Sequence, residues 1–333
     1  MIFVDFANNI GREWAVFYGE EGLANGISGV TTAAYFRRKT RGTVIDRLYA
    51  GDYQGNLWYA SPKLAPDTNS LQSDFDQIRD PIIVARDKNG KRQSITTKPN
   101  VMFMANGDHF LTFGTGRYIT SSDKVDNSVQ SYYGIKPLIG YSSGRFEFEP
   151  TPRSRLATRE IKEKVVKIDG KNQVVRAIEG ENIEFVKVTG YIPPPKTGLM
   201  KWSDYFPGKV GWVIDFDKGQ NERVVQNGVL FGKTLLFQSM VSSKNACGGS
   251  ISSWTYAIDP LEGRQTKTNV LIDKNSLDIK NFIVSGIKTD GAGGFTLGST
   301  DKVDMFELCT GAGCQSIYID EGTVGRIAWG SNE

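Results

Sequence analysis

Residues 45–61, IDRLYAGDYQGNLWYAS, read as a strand, a tight turn and a second strand. Leu48, Tyr49, Leu57, Trp58 and Tyr59 favour a pleated, half-buried surface, and the polar group DYQG between the two runs breaks it. The turn has a mechanical logic. An aspartate side chain accepts hydrogen bonds from turn amides, and glycine takes the positive φ that other residues resist. Asp52 is therefore expected to cap the turn toward Gly55, whereas Asp46, inside the first strand, has no such local duty.

The same pattern extends along the chain. Short runs rich in Tyr, Phe, Trp, Val and Ile recur between Gly/Asn/Asp turns: PIIVARD, HFLTFGT, SYYGIK, GWVIDF, TLLFQSMV, SWTYAID, SIYID and GRIAWG. DKNGK at 87–91 is a hairpin-type turn. Helical periodicity is nearly absent, so the expected class is all-β, as a sandwich, barrel or propeller. LYAGDYQGNLWYAS, VIDFDKGQNERVV and TYAIDPLEGRQTK share a loose strand, Asp, turn-Gly, strand repeat, and such repetition points to a β-propeller. One stretch differs. Within 141–200, RSRLATREIKEKVVKIDGKNQ is charge-dense, KIDGKNQVV reads as a polar hairpin and YIPPPKTG as a proline-rich linker. The expected organisation is propeller blades over 1–140, an insertion with its own short strands over 141–200, and further blades over 201–333.

Composition sets the outer limits. The 333 residues include 18 Phe, 13 Tyr and 6 Trp, enough for a sizeable core in one large domain. Forty basic against 37 acidic residues leave a net charge of +3, which gives no nucleic-acid or membrane footprint for the molecule as a whole. No apolar run approaches the roughly 20 residues of a membrane span, and MIFVDFANNIGREW lacks the basic and apolar regions of a signal peptide. Three cysteines are present. Cys309 and Cys314 bracket TGAG, which can bring them within disulfide range or leave them as two small reduced residues in a loop; Cys247 is left over. A structural zinc site is not expected, because His109 is the single histidine.

A string of segments, in order, resembles the C-terminal β-propeller domain of the PilY/PilC family of type IV pilus tip-associated adhesins and assembly factors. GLANGISGVTTAAYF and IDRLYAGDYQGNLWYAS resemble its "GxxNGLSxP" and "DRVYxGDxxGNLWR" blocks. ITTKPNV, FLTFGTGRYI and VQSYYGI resemble its "ITxxPxV…VxFGTGRYL…QSFYGIxD" run. GWVIDF, ERVVQNGVLFGKTLLFQSMV, CGGSISSWTYAIDPLEG and GRIAWG resemble its later strands. The combination of FGTGRY with QSYYGI is specific, while Asp-turn-Gly repeats alone occur in many propellers. The resemblance implies a modified, quinoprotein-like propeller. It also implies a non-enzymatic surface protein of the pilus tip or outer membrane, acting in pilus biogenesis against retraction, in host-cell adhesion and in twitching motility. Its partners would be minor pilins and a host-cell receptor. Because MIFVDFANNIGREW resembles a mid-propeller strand, earlier blades and a signal peptide are expected to belong to a longer protein.

The resemblance also implies calcium, since many members carry an Asp-x-Asp-x-Asp-Gly loop just before the "DRVYxGD" strand. Here that position reads FRRKTRGTVID. Only Asp46 matches; Arg37, Arg38, Lys39 and Arg41 stand in or beside the other positions and repel a divalent cation. Asp46 is read as the remnant of a calcium loop that would need carboxylates from elsewhere. The basic run itself is either a solvated hairpin loop or a patch for acidic glycans, lipid headgroups or a pilin face.

Catalysis finds little support in the residues. His109, in GDHFLTFG, has no evident Ser or Cys nucleophile elbow and reads as a structural histidine. GTGR at 114–117 lacks the Lys-Ser/Thr pair and helix of a phosphate loop. A quinone-dependent dehydrogenase, the enzymatic alternative, would need a Cys-Cys dipeptide or tryptophan floor that is not visible. A non-catalytic scaffold of envelope assembly is the other alternative.

Overall fold

The computed structural model describes residues 2–5, 10–13, 27–36, 43–60, 81–104, 109–137, 146–147, 150–185, 200–201, 208–218, 221–242, 251–273, 282–290, 294–301, 305–310 and 313–319; for those up to 48 and for 60, 146–147, 200–201 and 290 it describes the backbone alone. Among these residues the regular structure is β, with two short 3-10 turns and no α-helix.

In chain order, β1 (Ile2–Asp5) and β2 (Ile10–Glu13) form a hairpin, and β3 (Ile27–Phe36), β4 (Thr43–Asp52), β5 (Asn56–Ala60) and β6 (Ile83–Val84) form a four-stranded antiparallel sheet. β7 (Asn100–Phe103), β8 (His109–Gly114) and β9 (Ser131–Ile135) follow. Next come the short β10 (Phe146–Glu147), the long hairpin of β11 (Leu156–Ile168) and β12 (Lys171–Glu179), and the short β13 (Met200–Lys201), which pairs with β10. Then come β14 (Gly211–Asp215), β15 (Glu222–Arg223), β16 (Val229–Phe231), β17 (Thr234–Val241), β18 (Ser252–Ile258) and β19 (Gly286–Asp290). β20 (Phe295–Ser299), β21 (Met305–Thr310) and β22 (Gly313–Tyr318) close the series as a three-stranded sheet.

The four-stranded sheet packs against the 11-stranded one, and the 11-stranded sheet folds so that its own strands share further cores, because alternate residues of a strand point to opposite faces. On β8, Leu111 and Phe113 enter a core shared with Tyr49, Leu57 and Ile83 of the four-stranded sheet, while Phe110 enters the next core. β14 does the same: Val213 joins the first core, Trp212 and Ile214 the second. Beyond it, Leu235, Phe237, Tyr256 and Ile258 of β17 and β18 face the second core. Leu236 and Ala257 face a third, with Val175, Leu308 and Ile317. Strands buried on both faces need apolar residues at every position. This explains the continuous runs HFLTFG and TLLFQSMV.

The charge-dense segment bridges two blades. Residues Leu156 to Arg159 of β11 run parallel to β14, whereas Glu160 to Ile168 pair antiparallel with β12, which in turn pairs with β19. The outer half of this hairpin leaves Lys164, Val165 and Val174 in solvent and turns at Asp169 and Gly170. The inner half is wired into the 11-stranded sheet. Trp212 anchors the second core: its Nε1 donates to the Pro260 carbonyl at 3.0 Å, and a methyl group at Gly134 or Gly263 would overlap its ring.

Candidate functional site

Asp52 answers its own question in the turn. Oδ1 accepts the Asn56 amide at 2.9 Å, and Oδ2 accepts Asn56 Nδ2 at 2.9 Å and Trp58 Nε1 at 2.8 Å, with Gly55 at φ 82°. The device recurs. Asp87 Oδ1 accepts the amides of Asn89 and Lys91, and Asp259 Oδ1 those of Leu261 and Glu262, each beside a glycine of positive φ, Gly90 and Gly263.

Asp46 lies in β4 where the register against β3 shifts. Ala33 faces Arg47 and Ala34 faces Ile45, so Asp46 is the extra residue of a bulge. Arg37, Arg38, Lys39 and Arg41 lie outside the described residues, as does Cys247. The donor set does not fit calcium, since residues 37–46 supply four cations and one carboxylate against the six to eight oxygens the ion takes. Cys309 and Cys314 are opposite each other across β21 and β22 and are joined in a disulfide. Glu307 is nearby, but disulfide sulfurs are not the thiolates that bind a metal. His109 is buried and shares a 2.7 Å hydrogen bond between its Nδ1 and the Tyr49 hydroxyl, under the edges of Tyr49 and Phe103.

The motif segments meet at one end of the blades. Ile95 N donates to Asp52 O at 2.9 Å, Ser94 Oγ to Tyr53 O at 2.7 Å, and Gly116 N to Ser94 O at 2.8 Å. The GTGR amides are thereby engaged: Thr115 N donates to Ser131 O, and the Gly116 carbonyl accepts Thr96 Oγ1. Arg223, fully buried, crosses beneath and donates to Arg117 O at 2.6 Å and Asp126 O at 2.7 Å. A side chain on Gly116, at φ 141°, would collide with Arg223. The glycines of FGTGRY thus serve close packing and leave no cradle for phosphate.

Behind this end, a polar network locks QSYYGI to its neighbours. The Tyr133 hydroxyl, with one proton to give, lies within hydrogen-bond reach of both Gln93 Oε1 and Arg86 O, Arg153 donates to Arg86 O, and Arg153 Nη2 pairs with Asp215, whose other oxygen accepts Ser131 Oγ at 2.6 Å. Burial drives the Tyr133 hydroxyl pKa upward, despite the Arg153 charge.

The loop over 117–128 is held with equal firmness. Asp123 accepts the amides of Ile119 and Thr120 on Oδ2 and Arg117 Nε on Oδ1, at 2.8 to 2.9 Å. Burial opposes its charge, but the Thr120 and Ile119 amides and Arg117 outweigh it and hold the carboxyl at about 2. The spacing T-S-S-D from Thr120 to Asp123 is the sequence signal for this turn. On it, Ile119 is 62% and Val125 67% exposed. Beside Ile119 lies a cleft of about 410 Å³ lined by Tyr53, Thr96, Tyr118, Met240 and Ile251. A depressed native pKa stabilises above the unfolded value near 4, and this is lost as pH falls through about 2. Asp123→Asn should therefore speed hydrogen exchange at Ile119 and Thr120 at pH 7 and cost about 1–2 kcal/mol. The gap from the unsubstituted chain should close on acidification, and an equal gap at both pH values would refute the assignment.

The family model "PilY1 beta-propeller domain" matches residues 4–137. The type IV pilus biogenesis factor PilY1 of Pseudomonas aeruginosa PAO1 is 26% identical over 344 residues, covering 93% of this chain. A PilY1 homolog of Xylella fastidiosa is 22% identical over 290 residues, covering 85% of this chain. The chain spans 28% of the length of the Pseudomonas relative and 17% of the Xylella one. The crystal structure of the Pseudomonas aeruginosa PilY1 C-terminal domain superposes with a TM-score of 0.71 at 23% identity, covering 92% of this chain and 62% of that one. In the order of its motifs and in its fold, the chain resembles the C-terminal β-propeller domain of the PilY/PilC type IV pilus family.

Proposed function

We propose that the chain is a non-enzymatic, pilus-associated domain that works by surface contact at the cell surface, at the pilus tip or outer membrane. The observation that supports this reading is the similarity to PilY1 over 93% of the chain. In this reading the protein promotes pilus assembly against retraction, contacts minor pilins, and contributes to host-cell adhesion and twitching motility. Residues 1–140 and 201–333 supply blades and 141–200 the insertion. Asp46 is a calcium-loop remnant, and Arg37, Arg38, Lys39 and Arg41 are a basic run for a partner.

Deletion of the encoding gene should strip most fibres from the cell surface, counted by electron microscopy. A second deletion, of the retraction motor, should restore fibres without restoring host-cell binding. Unchanged fibre counts and adhesion after the first deletion would overturn the pilus reading.

A further inference from the structure

The loop end of the blades combines three features that the blade cores do not require. Ile119 and Val125 hold apolar side chains in solvent on a turn fixed by Asp123 and, through Arg117 O and Asp126 O, by Arg223. The cleft beside Ile119 offers two tyrosines, a methionine and an isoleucine in a volume that admits one or two side chains. The sequence on either side of its lining residues Thr96, Tyr118 and Ile119 is basic. The stretches 87–98 and 117–128 carry Lys88, Lys91, Arg92, Lys98, Arg117 and Lys124 against three carboxylates. Those three are spent internally: Asp87 on turn amides, Asp123 on Arg117 and two amides, and Asp126 on Ser128 and Lys91. Lys88, Lys98 and Lys124 are exposed and make no ion pair among the described residues.

We infer that this face binds an acidic polypeptide segment carrying one aliphatic or aromatic anchor, the anchor entering the cleft beside Ile119 and the carboxylates meeting Lys98 and Lys124. The inference rests on the surface-contact reading above and gives it a location. The basic rim selects an acidic partner and speeds encounter, while affinity comes from the central apolar anchor. The fixed turn lowers the ordering cost of binding. A recessed cleft flanked by the hydroxyl of Thr96 suits a single inserted side chain better than a bilayer, which rewards a broad protruding apolar face.

The test uses the full 333-residue chain and a labelled synthetic peptide of alternating glutamate and serine with a central leucine, followed by fluorescence anisotropy. Binding is expected, weakening with salt over the physiological range. Ile119→Asp should weaken it about tenfold, and Lys98→Glu with Lys124→Glu about tenfold with a flatter salt dependence. All three positions are exposed, so the fold should survive, which circular dichroism checks. Replacing the peptide's leucine by serine should abolish binding. Equal binding by the variants, equal binding of a lysine-for-glutamate peptide, or preference for phosphatidylglycerol vesicles over the peptide would overturn the inference. If the peptide fails to bind while gene deletion still removes fibres, the acidic-segment assignment falls and the pilus reading stands.

Discussion

Glu222→Ala is expected to destabilise the fold by about 3–5 kcal/mol, the cost of leaving a buried charge without its partner. Glu222 accepts Arg176 Nη1 on both oxygens at 2.8 Å, Ser239 Oγ at 2.6 Å and Tyr256 Oη at 2.9 Å. Arg176 lies over the Trp254 ring at 3.8 Å and pairs on its outer side with Glu163, which is partly exposed. The network ties β12 of the bridging hairpin to β15, β17 and β18, so its loss loosens the joint between two blades. Burial alone would lower the Arg176 pKa, but Tyr256 and Glu222 reverse the direction and keep it charged. Urea denaturation of Glu222→Ala and Arg176→Ala, beside the double replacement Arg176→Met with Glu222→Leu, reads the effect. The double variant should be more stable than either single one, because no unpaired charge remains. A single-variant loss under about 1 kcal/mol would mean that water reaches the pair.

Stability should also collapse on the alkaline side. Burial raises the pKa of Tyr132, Tyr133 and Tyr256 above the usual value near 10, and for Tyr256 the Glu222 charge adds to it. Below about pH 10 these hydroxyls are protonated in both states and pH has no leverage through them. Above it the unfolded chain releases protons that the native chain keeps, so stability falls as pH rises. Each tyrosine contributes a slope of about 1.4 kcal/mol per pH unit, and three together about 4. Denaturation midpoints should stay flat toward pH 9.5 and drop steeply beyond pH 10. Tyr132→Phe should remove about a third of the slope, and this comparison cancels the lysines, which titrate in the same range. Tyrosinate absorbance from all tyrosines near pH 10 while the protein is still folded would refute the prediction.

Much of the fold was legible because its signals are local. NLWYA, HFLTFG, SYYGI, TLLFQSMV and SWTYAI are strands, and the turns at Asp52, Asp87 and Asp259 carry the amide bonds and positive-φ glycines that their residues announce. GRIAWG lies outside the described residues. The Asp123 turn is also signalled locally, by the T-x-x-D spacing of Thr120 and Asp123. Arg223 carried no such sign: a lone arginine in NERVV reads as exposed, yet it is the buried strut of the loop end.

The sequence by itself determined the strand class, the turn positions and the motif order, since period-two alternation and Asp-Gly chemistry act over a few residues. Only the tertiary structure decided which face of each strand enters which core, and that β11 divides its length between β14 and β12. It alone joined Arg176 to Glu222 across 46 residues of chain. It alone left Ile119 in solvent while Ile135 is fully buried. The reason is physical: burial and ion pairing are properties of what packs against a side chain, and in stacked blades those neighbours come from distant segments of the chain.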